Sequence, residues 1–243
     1  MNKKISMLYF ASAVVVAACT SQAASSVIYS NGFESGYTTG AQLKGQDFWA
    51  DLLFAASPAV IKGAGINTSQ VIGNSTAANA NSGVKKTVAL DFAGATTGSF
   101  SFDLYRNGNI GGYMGVSIGS SGSKGNGIGV YGLSNVLKFR DSVGAGTIVA
   151  LTDINGANVL TVNGAWSRIT LNIDFANNQI ISAFLTNLTT PGPATQLYFG
   201  AGNATKTFLN DESTWNQVQI RTDSSEDPTA YIDNILLVGL EEK

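Results

Sequence analysis

Hydrophobic and polar residues alternate along much of the chain, and residues 166–175 carry the most regular example. One face of this segment would carry Ile169, Leu171, Ile173 and Phe175, and the other Trp166, Arg168, Thr170, Asn172 and Asp174. A period of two residues is typical of a β-strand with one buried face. The pair Asn177–Asn178 favours a tight turn, because asparagine tolerates positive φ. Residues 179–185 are predicted to return as the partner strand.

Further strands are predicted on the same grounds. Residues 99–106 would place Phe100, Phe102 and Leu104 on one face, and Ser101, Asp103 and Tyr105 on the other. The other predicted strands are 84–92, 113–118, 128–131, 136–139, 215–221 and 229–238, separated by turns rich in glycine and polar residues. The last two are expected to pair with each other across the acidic loop 223–228.

The number and spacing of these strands predict the fold class. Strands recur every roughly 8–14 residues, which is typical of an antiparallel sandwich. Helix signals are nearly absent, no long repeat is present, and no linker divides the chain. The sequence therefore predicts an all-β protein in which residues 24–243 form a single domain, a two-sheet antiparallel jelly-roll sandwich.

The first 23 residues have the features of a targeting segment. Two lysines precede an apolar stretch of about 14 residues, which is too short to span a bilayer as a helix. Small residues at Ser21 and Ala23 favour cleavage of a signal peptide, residues 1–23. In the alternative, residues 16–19 resemble a relaxed bacterial lipobox, so that the signal is 1–18 and Cys19 is lipidated. We expect a secreted or cell-surface protein, or in the alternative an outer-membrane lipoprotein, with no transmembrane span.

The amino-acid composition excludes several kinds of catalytic and binding site. The chain has no histidine, which excludes His-based triads, His-ligated zinc and histidine general bases. Its single cysteine lies in the targeting segment, so the predicted domain uses neither disulfides nor thiol chemistry. A net charge of −2 argues against nucleic acid as a partner.

Three segments together resemble a known family of folds. They are the opening strand 28–36, the hairpin 166–178 and the closing strand 230–235. Together they resemble jelly-roll sandwich domains of the concanavalin A-like or laminin-G-like type, which occur in secreted bacterial surface and carbohydrate-binding proteins. The resemblance implies a fold more directly than an activity.

The resemblance also implies a structural calcium ion held by the two ends of the domain. In many such modules the first and last strands are neighbours, and each offers a carboxylate to one ion; here these would be Glu34 and Asp233. Calcium takes six to eight oxygen ligands, so backbone carbonyls and water would complete the site. In the alternative, Glu34 caps a turn and Asp233 accepts backbone hydrogen bonds.

Aromatic residues near asparagines suggest where a sugar would bind, because sugar sites combine flat rings with amides that bond hydroxyls. The candidate residues are Tyr105, Tyr113, Tyr131, Asn107 and Asn109. The leading hypothesis is a non-catalytic domain that binds glycan or extracellular matrix.

Two other functions remain open. The first is a structural, self-associating surface protein or adhesin component. The second is a polysaccharide lyase or glycoside hydrolase. The carboxylate cluster of a hydrolase of this fold is missing, but a lyase site built from Tyr105, Arg106, Tyr113 and Arg140 is conceivable.

Overall fold

A computed structural model describes residues 24–51, 59–62, 70–74, 83–92, 94–107, 113–120, 127–133, 136–141, 148–208, 215–223 and 230–241. These residues form sixteen β-strands and, within the described ranges, no helix. In chain order the strands are β1 (Ala24–Asn31), β2 (Ala50–Asp51), β3 (Ala59–Lys62), β4 (Val71–Asn74), β5 (Gly83–Thr87), β6 (Thr97–Arg106), β7 (Tyr113–Gly119), β8 (Gly127–Leu133), β9 (Val136–Arg140), β10 (Ile148–Ala150), β11 (Ala165–Asp174), β12 (Gln179–Asn187), β13 (Thr195–Leu197), β14 (Lys206–Thr207), β15 (Gln217–Asp223) and β16 (Tyr231–Glu241).

The strands form two sheets. Sheet A has the order β13-β12-β11-β6-β16-β4-β3, with β1 also paired to β16 and β14 to β12. Sheet B has the order β10-β9-β8-β7-β15-β5-β2. Every pairing in both sheets is antiparallel. The predicted all-β, two-sheet antiparallel sandwich is therefore confirmed.

The core lies between the sheets and is built from the apolar faces that alternation identified. Sheet A contributes Phe100, Phe102, Leu104, Ile169, Leu171 and Ile173, with Phe175 directly after β11, and sheet B contributes Val116, Ile118, Ile128, Val130, Phe139, Val218 and Ile220. All of these side chains are buried, and each stabilises the fold by about 1.5–3 kcal/mol through removal of apolar surface from water.

The structure corrects two predictions, the pairing of the last two strands and the length of an earlier one. Residues 215–221 and 229–238 do not pair with each other, because β15 lies in sheet B between β7 and β5 while β16 lies in sheet A beside β6. Alternation specifies which face of a strand is buried but not which strand lies beside it. The strand predicted at 84–92 ends at Thr87, and its later apolar residues pack against the core without belonging to a strand.

A loop between β1 and β2 contributes large side chains to the core. Phe33, Leu43 and Trp49 are all buried there. The hydroxyl of Tyr37 accepts hydrogen bonds from Asn31 Nδ2 at 2.8 Å and Trp49 Nε1 at 3.2 Å. It donates one to Asp47 Oδ2 at 2.6 Å. Burial is the main reason that the pKa of Tyr37 is raised to about 12.

Candidate functional site

Each sheet has an outer face that points away from the core; we call these face A and face B. On face A, the outward-pointing residues of three neighbouring strands of sheet A line up in rows across the sheet. Across β16, β6 and β11 the rows are Tyr231, Tyr105 and Trp166; then Asp233, Asp103 and Arg168; then Leu236, Ser101 and Thr170. Aromatic, charged and small polar side chains therefore lie side by side on one surface.

The aromatic row consists of three rings in contact. The ring centroid of Tyr105 lies 5.5 Å from that of Trp166 and 5.6 Å from that of Tyr231. Both tyrosines are half-buried and Trp166 is 8% exposed. Trp166 lies on face A and not in the core, on the same side of β11 as Arg168, and its neighbour in register is Tyr105.

The charged row places two buried carboxylates opposite each other. Asp103 and Asp233 are partners in register, and both are 0% exposed. Arg168 donates from Nε to Asp103 Oδ1 at 2.7 Å and from Nη2 to Oδ2 at 2.9 Å. These hydrogen bonds raise the pKa of Arg168 by more than burial lowers it, and the charges of Asp103 and Asp233 add to the rise.

A β-bulge completes this row. The pairing of β16 with β6 is irregular between Asp233 and Leu236, and Asn234 has a φ of 48°. Asparagine is one of the few residues other than glycine that adopts this conformation readily. The bulge lets Asn234 Nδ2 donate to Asp103 Oδ2 at 2.9 Å. A bulge that redirects a side chain in this way is common next to binding sites.

A pocket of about 290 Å³ opens beside the charged row. Its lining residues are Ser30, Asn31, Gly32, Ser101, Arg168, Asn234, Ile235 and Leu236. The lining combines hydroxyls, amides and a guanidinium with two aliphatic side chains. Such a mixture suits a small ligand rich in hydroxyl groups.

The residues predicted to hold calcium lie near the paired chain ends. β1 and β16 are antiparallel neighbours, as the resemblance implied, and Glu34 follows β1. Each carboxylate accepts a backbone hydrogen bond: Glu34 Oε2 from Gln70 N at 3.3 Å, and Asp233 Oδ1 from Asn234 N at 2.8 Å. The described residues contain no group of three or more His, Cys, Asp or Glu that could hold a metal. A calcium ion between these two carboxylates stays a prediction.

Face B has a different character. Alternation places two rows of residues on it across β5, β15, β7, β8 and β9. The first row is Lys85, Gln219, Ser117, Gly129 and Arg140, and the second is Gly83, Arg221, Gly115, Tyr131 and Lys138. Face B therefore combines four cations with one amide, one serine hydroxyl, a tyrosine and three glycines.

Tyr131 lies flat on face B because two neighbouring positions lack a side chain. A Cβ atom at Gly115 would come within 2.9 Å of Tyr131 Cδ1, and one at Gly129 within 3.0 Å of Tyr131 Cε2. The ring is 2% exposed, and Cζ of Arg140 lies 5.9 Å from its centroid, within the range of a cation–π contact.

The structure separates the residues predicted to bind sugar. Tyr105 lies on face A, whereas Tyr131 lies on face B and Tyr113 begins β7 of sheet B. Asn107 is exposed just after β6. Asn109 lies outside the described residues, as do the side chain of Tyr113, Cys19 with the rest of residues 1–23, and most of the acidic loop.

The structure also separates two residues of the alternative lyase site, since Tyr105 lies in sheet A and Arg140 in sheet B.

The sequence analysis did not identify Arg168, Tyr231 and Asn234 as members of the face-A site. The alternation of residues 166–175 put Arg168 on the polar face, but only the register of β11 with β6 sets it opposite Asp103.

No protein-family model matches the chain, and no curated protein matches it either. Solved structures do match. The CBM2 module of the evolved Dit of Lactobacillus casei BL23 phage J-1 is 10% identical, with a TM-score of 0.53 over 91% of this chain and 99% of that one. A carbohydrate esterase of the Shiga toxin-encoding bacteriophage phi24B is 9% identical, with a TM-score of 0.51 over 90% and 100%.

A protein of unknown function from Shewanella oneidensis MR-1 is 14% identical, with a TM-score of 0.52 over 89% of this chain and 87% of that one. At these identities the likeness establishes a shared β-sandwich fold. Among the described residues, no helix has the length and apolar character needed to cross a membrane.

Proposed function

We propose that the protein is a non-catalytic β-sandwich that binds glycan on face A. The observation that carries this proposal is the polar pocket of about 290 Å³ that opens beside the charged row. The aromatic row of Tyr231, Tyr105 and Trp166 is the next row along the strands, on the other side of the charged row. Sugars present hydroxyl groups at their edges and C–H groups on their ring faces. A site that places amides and hydroxyls beside aromatic rings matches both parts of such a ligand.

The pocket is held in shape before any ligand arrives. Arg168 is fixed by two hydrogen bonds to Asp103, so its remaining N–H groups point in set directions. The Asn234 side chain is fixed by its own bond to Asp103. Groups already held in position lose little conformational entropy when they bind, which favours affinity.

The fold is consistent with this assignment. The phage module that shares the fold has a name that denotes a carbohydrate-binding module, and we propose the same class of function for this chain. The buried carboxylates of face A favour binding over hydrolysis. Asp103 is already held by Arg168 and Asn234, which leaves it poorly placed to act as an acid or a base.

A glycan array followed by calorimetry on the best ligand tests the proposal. Tyr231→Ala should weaken binding about five- to tenfold, since one aromatic contact contributes about 1 kcal/mol. Ser30→Leu should weaken it further, because the larger side chain fills the pocket that Ser30 lines.

Phe48→Ala is the matched control, because this ring is 87% exposed on the loop between β1 and β2 and does not line the pocket. Equal losses in the control and in Tyr231→Ala would contradict a site on face A. No binding to any glycan, together with concentration-dependent polymers in sedimentation, would favour a self-associating surface protein instead. Turnover of a bound polysaccharide would favour the lyase or hydrolase.

We also propose that the protein acts outside the cytoplasm, with residues 1–23 as its export signal. Replacing Lys3 and Lys4 by glutamate removes the positive charge of the signal and should reduce export, measured by cell fractionation. Incorporation of labelled palmitate that is lost in Cys19→Ser would favour the lipoprotein alternative. Normal export of the double variant would contradict both forms of the proposal.

A further inference from the structure

We propose that the glycan bound on face A is a linear, uncharged polysaccharide whose chain runs along β6, from the aromatic row past the pocket to the hydroxyl and amide side chains beyond it. This inference rests on the proposed glycan-binding function and adds the class of glycan and its direction on the sheet. Three features support it: the line that the binding groups form, the size of the pocket, and the charge along that line.

The groups suited to bind a glycan lie in a line along β6. From the end of the strand to its beginning, the side chains that point to face A are Tyr105, Asp103, Ser101 and Ser99. Tyr105 belongs to the aromatic row and Ser101 lines the pocket. Ser99 lies six residues from Tyr105, which is roughly 20 Å at about 3.4 Å per residue. One sugar unit covers only part of this distance, so a chain of units is needed to reach both ends.

A fourth row extends face A beyond the pocket. Across β16, β6, β11 and β12, this row consists of Val238, Ser99, Asn172 and Ser182. All four side chains are half-buried, and Asn172 Nδ2 donates to Ser182 Oγ at 2.8 Å, which fixes the amide. In the third row, Thr170 pairs in register with Phe184, and both are half-buried. Polar and apolar side chains therefore continue side by side past the pocket, as the hydroxyls and ring faces of a sugar chain require.

The pocket is too small to hold the whole of a longer glycan. Its volume of about 290 Å³ lies just below the range of sites that enclose a small molecule, about 300–1,000 Å³. Further contact area must come from the rows on either side of the pocket. A polysaccharide placed along β6 uses that area, whereas a free monosaccharide in the pocket does not.

The described residues along this line offer no free cation to an anionic glycan. Arg168 is the charged residue among those that line the pocket, and its Nε and Nη2 already donate to the carboxylate of Asp103. The two-atom contact that a guanidinium makes with a sugar carboxylate is therefore already taken. The third and fourth rows contain no charged side chain on β16, β6, β11 or β12. A carboxylate placed there would lose hydration without gaining an ion pair, which favours an uncharged glycan.

Calorimetry with linear oligosaccharides of known length tests the inference. The neutral probes are cellohexaose, xylohexaose and mannohexaose with their disaccharides, and the anionic probes are the hexamers of galacturonate and mannuronate. At least one neutral hexamer should bind about tenfold more tightly than its own disaccharide, and more tightly than both uronate hexamers. Tightest binding of a uronate hexamer, or equal affinity for hexamers and disaccharides, would overturn the inference.

Variants at the far end of the line locate the chain. Ser99→Ala combined with Thr170→Ala removes two hydroxyls and leaves the bond between Asn172 and Ser182 in place. This double variant should weaken the neutral hexamer about fivefold and leave its disaccharide unchanged, because only the longer chain reaches these hydroxyls. Thr87→Ala, which removes an exposed hydroxyl at the end of β5 in sheet B, is the control and should change neither. An unchanged affinity of the hexamer for a folded double variant would overturn the inference.

This inference and the proposed function can fail separately. If a branched or anionic glycan binds most tightly on the array and Tyr231→Ala weakens it, face A binds glycan but the inference of a linear, uncharged chain is wrong. If no glycan binds at all, both the proposed function and the inference are wrong.

Discussion

Face A and face B both bury polar side chains on the outside of the same sandwich, but they balance charge in opposite ways. On face A, the buried carboxylates of Asp103 and Asp233 lie beside Arg168 and the amide of Asn234. On face B, cations surround amide and hydroxyl groups, and Gln219 Oε1 has no partner among the described residues. The buried carboxylate Asp103 of face A is thus fully held by neighbouring side chains, whereas the middle of face B buries a hydroxyl and an amide oxygen that no described residue satisfies.

The residue types on the two faces explain little of this difference. Both faces arise from strands that alternate between apolar and polar residues, and both carry arginine and tyrosine. They differ in which residues the register makes neighbours. In sheet A it sets Asp103 between Asp233 and Arg168, and in sheet B it sets Gln219, Ser117 and Gly129 between Lys85 and Arg140. The following predictions test that contrast through stability.

The largest effect is expected for Arg168→Ala. Removing this guanidinium leaves two buried carboxylates facing each other, and breaking such a pair costs about 3–5 kcal/mol; the partial exposure of Arg168 favours the lower end, about 3 kcal/mol. Urea denaturation measures the loss. Lys138→Gln on face B removes a cation from a group of cations and should change the free energy of unfolding by less than about 0.5 kcal/mol. Similar losses in both variants would remove the contrast between the faces.

The next effect concerns the calcium ion predicted at Glu34 and Asp233. A calcium concentration one hundred times the dissociation constant stabilises a protein whose folded state alone binds the ion by about 2.7 kcal/mol. For a domain of this size, that free energy corresponds to roughly 5–10 °C in melting temperature. A chelator should therefore lower the melting temperature by several degrees, and magnesium should restore little of it. Glu34→Gln should remove most of the response. Identical melting curves with calcium and with chelator would contradict the site.

A third prediction tests whether face B needs its glycines. Gly129→Ala would bring a Cβ atom within 2.7 Å of Ser117 Cβ and 3.0 Å of the Tyr131 ring, so we expect a loss of about 1–3 kcal/mol, measured by urea denaturation. Gly192→Ala is the matched control, because nothing lies within 4 Å of its Cβ position. If the two substitutions cost the same, the close packing of Tyr131 on the sheet would be contradicted.

The smallest effect is expected where the two sheets are tied together at one end. Asn31 of β1, Tyr37, Asp47 and Lys86 of β5 form a chain of hydrogen bonds and an ion pair that joins sheet A to sheet B. The pKa of Tyr37 is raised to about 12, so its contribution is present below pH 10 and is lost as the pH rises through 12.

Because Tyr37 is half-buried, solvent screening limits this loss to about 1 kcal/mol. Stability measured from about pH 9 to about pH 12 against a Tyr37→Phe variant isolates the effect. The wild-type protein should lose more stability over this range than the variant does. Parallel pH profiles would contradict the role of the Tyr37 hydroxyl.

Much of the fold could be predicted from local pattern. The alternation in residues 99–106 and 166–175 correctly separated core residues such as Phe102 and Ile169 from polar ones, because successive side chains of a strand point to opposite faces. The turn at Asn177–Asn178 was predictable for a similarly local reason: Asn178 adopts a φ of 51°, which asparagine tolerates.

The candidate sites could not be predicted in the same way, because they depend on which strands become neighbours. Asp103 and Arg168 are 65 residues apart, and Asp103 and Asn234 are 131 apart. The same limit explains why Tyr105 and Tyr131 were grouped in sequence although they lie on different sheets. The apolar side of each strand can be read from a period of two, because that property is local to the strand. The meeting of polar sides is settled by strand order and register, because these depend on contacts across the whole chain.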